Sequence, residues 1–119
     1  MPVRKKILLI DDEEDFAQLM GKLLIKENFD FLIAYTLTEG MLLLEKEKPE
    51  FVFLDNILPD GLGWEKTEYI LHNYPKTQLI LLSGLSVPKT SSSTFRILEK
   101  PLTRNELLSC LNINNLKTV

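Results

Sequence analysis

Short apolar runs separated by longer stretches of helical period constrain this chain more than any other feature. Four runs rich in branched or aromatic side chains stand out, at Ile7–Ile10, Phe29–Ala34, Phe51–Leu54 and Leu79–Leu82, with a weaker fifth at Phe95–Leu98. Uninterrupted apolar runs of this length read as strands buried on both faces. Between the first two, Phe16, Leu19, Met20, Leu23 and Leu24 recur at the three-and-four spacing of a helix with one buried face. Thr36 followed by Glu39 has the form of a capping box, opening a second helix whose apolar side includes Met41, Leu42 and Leu44, and Lys46 to Pro49 closes it. A third helix is expected from about Gly63 to Asn73, carrying Trp64 and Leu71 and stopped by Pro75. Thr103 and Glu106 repeat the capping pattern ahead of Leu107, Leu108 and Leu111. Connections this short between alternating strands and helices imply repeated βα crossovers, hence an α/β, doubly wound parallel sheet covered on both faces.

At 119 residues the chain is expected to form one domain, 1–119, with a core of its own. A net charge of −3 and no stripe of Lys and Arg leave little reason to bind a phosphate backbone, so nucleic acid is not an expected direct partner. The single cysteine, Cys110, excludes an intrachain disulfide and reads as a small core residue. The apolar run near the start is too short for a signal peptide or a membrane span, and the expected location is cytoplasmic.

In open α/β sheets ligands gather beyond the carboxyl ends of the strands. The first strand ends in Asp11-Asp12, the third in Asp55 and the fourth in Ser83, and the fifth is followed by Lys100-Pro101. Three converging carboxylates repel one another unless one stays protonated or a hard cation sits among them, and Mg²⁺ is the natural occupant. Phosphoryl transfer asks for an in-line nucleophile and neutralised equatorial oxygens. Asp55 can serve as the nucleophile, Lys100 can pair with one phosphate oxygen and the Ser83 hydroxyl can donate to another.

The stretches Ile7-Leu8-Leu9-Ile10-Asp11-Asp12-Glu13, Leu54-Asp55-Asn56-Ile57-Leu58-Pro59-Asp60-Gly61, Ser83-Gly84 and Lys100-Pro101 resemble the response-regulator receiver family in order, spacing and strand context. The resemblance spans nearly the whole chain. It implies a five-stranded, flavodoxin-like sheet of order 2-1-3-4-5, with Asp11 and Asp12 as the acidic pair at a Mg²⁺ ion and Asp55 as phosphoacceptor. It also implies the backbone carbonyl of Ile57 as a metal ligand, Ser83 as switch hydroxyl, Lys100 as phosphate contact and a cis Lys100-Pro101 peptide. The implied partners are a sensor histidine kinase or phosphotransfer protein, and the only chemistry implied is self-phosphorylation and loss of the phosphoryl group.

One departure stands out. The stretch between Ser83 and Lys100 is shorter than in typical receivers by roughly a helical turn or more, and Val87 to Thr94 is rich in Ser and Thr and reads as loop. The helix usual between the fourth and fifth strands is therefore expected to be lost or shortened, and region 84–99 to expose an apolar edge for a downstream target or self-association. Ile97 stands where the family often has an aromatic switch residue. A second reading follows from this face, a phosphorylation-independent interaction module.

Plainer readings cover the remaining candidates. Glu13, Glu14 and Asp15 read as a helix cap and first-turn charges, Asp60-Gly61 and Gly63 as a turn, Trp64 as packing, and the lone His72 as a solvated helix-end residue. A haloacid-dehalogenase-like phosphatase would need an acid at position 57, where Ile57 stands, and a flavodoxin-like electron carrier a phosphate-cradling loop after the first strand.

Overall fold

The computed structural model describes residues 4–84 and 95–111. Strands β1 (Lys5–Ile10), β2 (Phe29–Ala34), β3 (Phe51–Asp55), β6 (Gln78–Ser83) and β7 (Phe95–Glu99) form one all-parallel sheet in the order β2-β1-β3-β6-β7. That is the expected 2-1-3-4-5 order, with two further strands, β4 (Ile57–Leu58) and β5 (Gly61–Leu62), forming a small antiparallel hairpin after β3.

Strand alternation sorts the core into two layers. Ile7, Leu9, Phe51, Phe53, Ile80 and Leu82 face α1 (Glu14–Leu24) and α4 (Arg104–Cys110); Leu8, Ile10, Val52, Leu54, Leu79 and Leu81 face α2 (Leu37–Glu47) and α3 (Thr67–Asn73). Both faces of β1 and β3 are therefore dry, as their unbroken apolar runs require.

Several expectations need correction. In α1 the buried face is Phe16, Ala17, Met20 and Leu24, while Leu19 lies outside it. In α2 the inward residues are Leu37, Gly40 and Leu44; Leu42, expected in the apolar side, is 68% exposed. The cause is the close approach of α2 to β1: a Cβ at Gly40 would lie 2.5 Å from Ile10 Cδ1, so the backbone at Gly40 itself fills the contact and turns Leu42 outward. The expected third helix opens as a 3-10 turn, Gly63–Lys66, and becomes α-helical only at Thr67.

The two capping boxes form unequally. Thr103 and Glu106 make both reciprocal bonds at α4. At α2 Thr36 accepts from Glu39 N, but the Glu39 carboxylate accepts from Tyr35 N, one residue before the cap. Phe95 and Ile97 pack on the same core layer, as expected for alternate residues of a strand. The expected loss of the helix between β6 and β7 concerns residues 85–94, which lie outside the described residues.

Candidate functional site

The parallel sheet brings the carboxyl ends of β1, β3, β6 and β7 to one edge, and the residues there meet as the strand-end reading expects. β1 runs on into Asp11, whose N–H donates to Ala34 O at 3.0 Å and so extends the pairing with β2. β3 ends on Asp55, and Lys100 follows β7, its N–H donating to Ser83 O at 2.7 Å. That bond ties the lysine to the end of β6, and Gly84 lies against the lysine stem. The Lys100-Pro101 peptide is cis.

Asp11, Asp12 and Asp55 each offer a carboxylate oxygen, and these atoms lie within 4.8 Å of one another. Asp11 and Asp55 are buried and Asp12 is exposed. Three clustered oxygens, with an open side at Asp12, are the donor set that a hard divalent cation takes.

Lys100 lies beside this trio with a side chain only 9% exposed. Its Nζ donates to Asp11 Oδ2 at 2.9 Å, stands 3.5 Å from Asp55 Oδ1 and pairs with Glu13 Oε1. The ammonium also sits 5.2 Å from the centre of the Phe16 ring, which α1 presents beneath it. Burial alone would lower the Lys100 pKa, but the bonds to Glu13 and Asp11 outweigh it and hold the group above the ordinary lysine range.

The carboxyls are also shifted upward, but by burial rather than by bonds to a partner. Burial raises the Asp11 pKa even though Glu13 N and Lys100 both donate to it. Asp55 is pushed up to about 6, chiefly by burial and then by the charge of Asp11. The charge of Lys100 acts in the opposite direction and lowers it. At 3.5 Å, however, the lysine is nearer to Asp11, and its pull on Asp55 is the weaker effect. Asp55 is thus a carboxylate short of positive charge, set between an acidic pair and a lysine.

Two residues read from sequence as ordinary helix and turn residues do more. Glu13 is the cap position of α1, but its side chain makes no cap bond and instead reaches Lys100. Asp60, at the tip of the β4–β5 hairpin, accepts three hydrogen bonds from the start of α2. Both contacts span more than twenty residues, beyond the reach of any local pattern. Ser83 is buried at the end of β6, Ile57 is 67% exposed in β4, and His72 is exposed in the last turn of α3. Cys110 is buried in the α4 layer, as expected.

A doubly wound sheet with an acidic trio and one buried lysine at its carboxyl edge defines a class of signalling domain. The chain belongs to the response-regulator receiver family of two-component systems: the family model, described as response regulator receiver domain, matches residues 7–112. Among curated relatives, the photosynthetic apparatus regulatory protein RegA of Cereibacter sphaeroides is 27% identical over 112 residues, covering 90% of this chain and 61% of the relative. The response regulator protein PilR of Pseudomonas aeruginosa is 28% identical over 104 residues, covering 83% of this chain and 23% of the relative. The chain thus spans only part of the length of these relatives. A solved signal receiver domain of an HD domain-containing protein from Pseudomonas fluorescens superposes with a TM-score of 0.81 at 29% identity, covering 92% of this chain and 93% of that one. Among the described residues no helix is long and apolar enough to cross a membrane.

Proposed function

We propose that this receiver domain accepts a phosphoryl group on Asp55 from a sensor histidine kinase or phosphotransfer protein, with Mg²⁺ bound, and signals through an altered interaction surface. The observation that carries the reading is the convergence of the Asp11, Asp12 and Asp55 oxygens beside the Lys100 ammonium. Asp11, Asp12, Asp55 and the Ile57 carbonyl would hold the ion. When bound, Mg²⁺ supplies positive charge for the phosphoryl oxygens and relieves the repulsion among the carboxylates.

The chain's own residues do the rest. An Asp55 carboxylate oxygen attacks phosphorus in line, the bond from phosphorus to the donor's imidazole nitrogen breaks, and the imidazole leaves with the electron pair and takes up a proton. Lys100 is already at 3.5 Å from Asp55 and balances one phosphoryl oxygen, while the Ser83 hydroxyl donates to another. Lys100 shares its charge with Asp11 and Glu13 beforehand, so phosphorylation redistributes bonds within a network that spans β1, α1, β3 and β7. Ser83 moving toward the phosphoryl group would carry region 84–99 with it, biasing a surface for a downstream protein target or for self-association.

Intact-mass spectrometry after incubation with a small-molecule phosphodonor tests the reading. A gain of one phosphoryl mass in wild type, dependent on Mg²⁺ and absent in Asp55→Asn, is the expected outcome. No adduct in the presence of Mg²⁺ would overturn it in favour of a phosphorylation-independent interaction module.

A further inference from the structure

Asp60 is an exposed turn residue with an unusually complete set of bonds. Its Oδ1 accepts from Leu37 N at 2.7 Å, and its Oδ2 accepts from Thr38 N at 2.8 Å and from Thr38 Oγ1 at 2.7 Å. Thr36 already satisfies Glu39 N, so Asp60 takes the first two N–H groups of α2 that the local cap leaves open. The Thr38 hydroxyl and these N–H groups hold its carboxyl at about 2, well below the usual range.

The other end of the same segment is fixed as well. Gly63 N donates to Asn56 O at 2.6 Å and Trp64 N to Asn56 Oδ1 at 3.1 Å. A Cβ at Gly63 would lie 2.1 Å from the Asp55 carbonyl oxygen, so the returning chain rests directly on the end of β3. Residues 57–62 are therefore closed at the base by Asn56 and pinned at the tip by Asp60. Between these points packing contributes little: Leu58 is buried, but Ile57 and Leu62 are exposed.

We propose that Asp60 is a positioning residue for the metal centre: by pinning the β4–β5 turn to the start of α2 it fixes the backbone at Ile57. The inference rests on the proposed function, which assigns the Ile57 carbonyl to the ion. Mg²⁺ demands near-ideal octahedral geometry, and a carbonyl ligand on a two-residue strand with one buried side chain needs a second restraint to meet that demand. Ile57 pairs with Leu62 and Leu58 with Gly61, so a displacement of the tip passes directly to the ligand peptide.

The test is the affinity for a divalent ion with no phosphodonor present: free Mn²⁺ counted by electron paramagnetic resonance, with Mg²⁺ as competitor. Thermal melts show at which temperature each variant is folded. Asp60→Ala is expected to weaken binding by roughly tenfold, as loss of a residue that orients a metal ligand commonly does. Asp60→Asn, which keeps an acceptor oxygen but no charge, should fall between Asp60→Ala and wild type. Thr38→Val, which keeps the charge and removes one donor, should show a smaller loss in the same direction. Wild-type affinity in folded Asp60→Ala overturns the inference, as do equal losses in Asp60→Asn and Asp60→Ala, which would trace the effect to charge alone. If Asp60→Ala does not fold, wild-type affinity in Thr38→Val overturns it. A wild-type protein that binds neither ion overturns the proposed function itself, and this inference with it.

Discussion

Gly63 shows how much of the site depends on a residue with no side chain. Its Cα packs where any Cβ would overlap the Asp55 carbonyl oxygen and crowd Leu54. The backbone there cannot retreat without moving the end of β3. Gly63→Ala is accordingly expected to cost about 1–3 kcal/mol in urea unfolding and to slow phosphoryl acceptance; unchanged stability would mean that the loop relaxes freely. Asp11, Asp12, Asp55 and Lys100 were legible in the sequence because each stands within two residues of the end of an apolar run, and parallel strands bring their carboxyl ends to one edge. The second tasks of Glu13 and Asp60 were not, since Glu13 meets Lys100 87 residues away and Asp60 meets α2 across 22 and 23 residues.

Elements were legible where one rule governed them and misread where two competed. The capping box at Thr103 and Glu106 formed as written, with both reciprocal bonds made inside the first turn of α4. At α2 the Asp60 carboxylate accepts from the first two N–H groups, and the Glu39 carboxylate accepts from Tyr35 N. The β4–β5 hairpin escaped notice because two-residue strands are too short to show a period. With only seven residues, α4 depends on its cap and on burying Leu107, Leu108 and Cys110. Thr103→Ala should lower stability by about 1 kcal/mol and speed amide exchange in the first turn of α4, measured by hydrogen exchange. Equal exchange in the two proteins would show that packing alone holds the helix.

At the scale of the whole molecule, the site costs stability when no cation fills it. The Asp55 pKa rises on folding from 3.8 to about 6. A carboxyl shifted upward favours the folded state while protonated, below about pH 4, and that contribution is lost as pH rises toward 6. Without divalent ions, Asp55→Asn is therefore expected to be more stable than wild type at pH 7 by roughly 2–3 kcal/mol. The gap should close below pH 4, and Mg²⁺ should narrow it at pH 7 by stabilising wild type. Urea unfolding across this pH range checks the sign; an Asp55→Asn protein less stable than wild type at pH 7 would show that the bond to Lys100 outweighs burial.

The lysine lies 89 residues beyond Asp11, directly after β7. A ribosome lays down every carboxylate of the trio before it reaches the ammonium that balances them. A product stopped before residue 100 would carry Asp11, Asp12 and Asp55 with no lysine beside them, so the assembled site also certifies that the sheet has been completed.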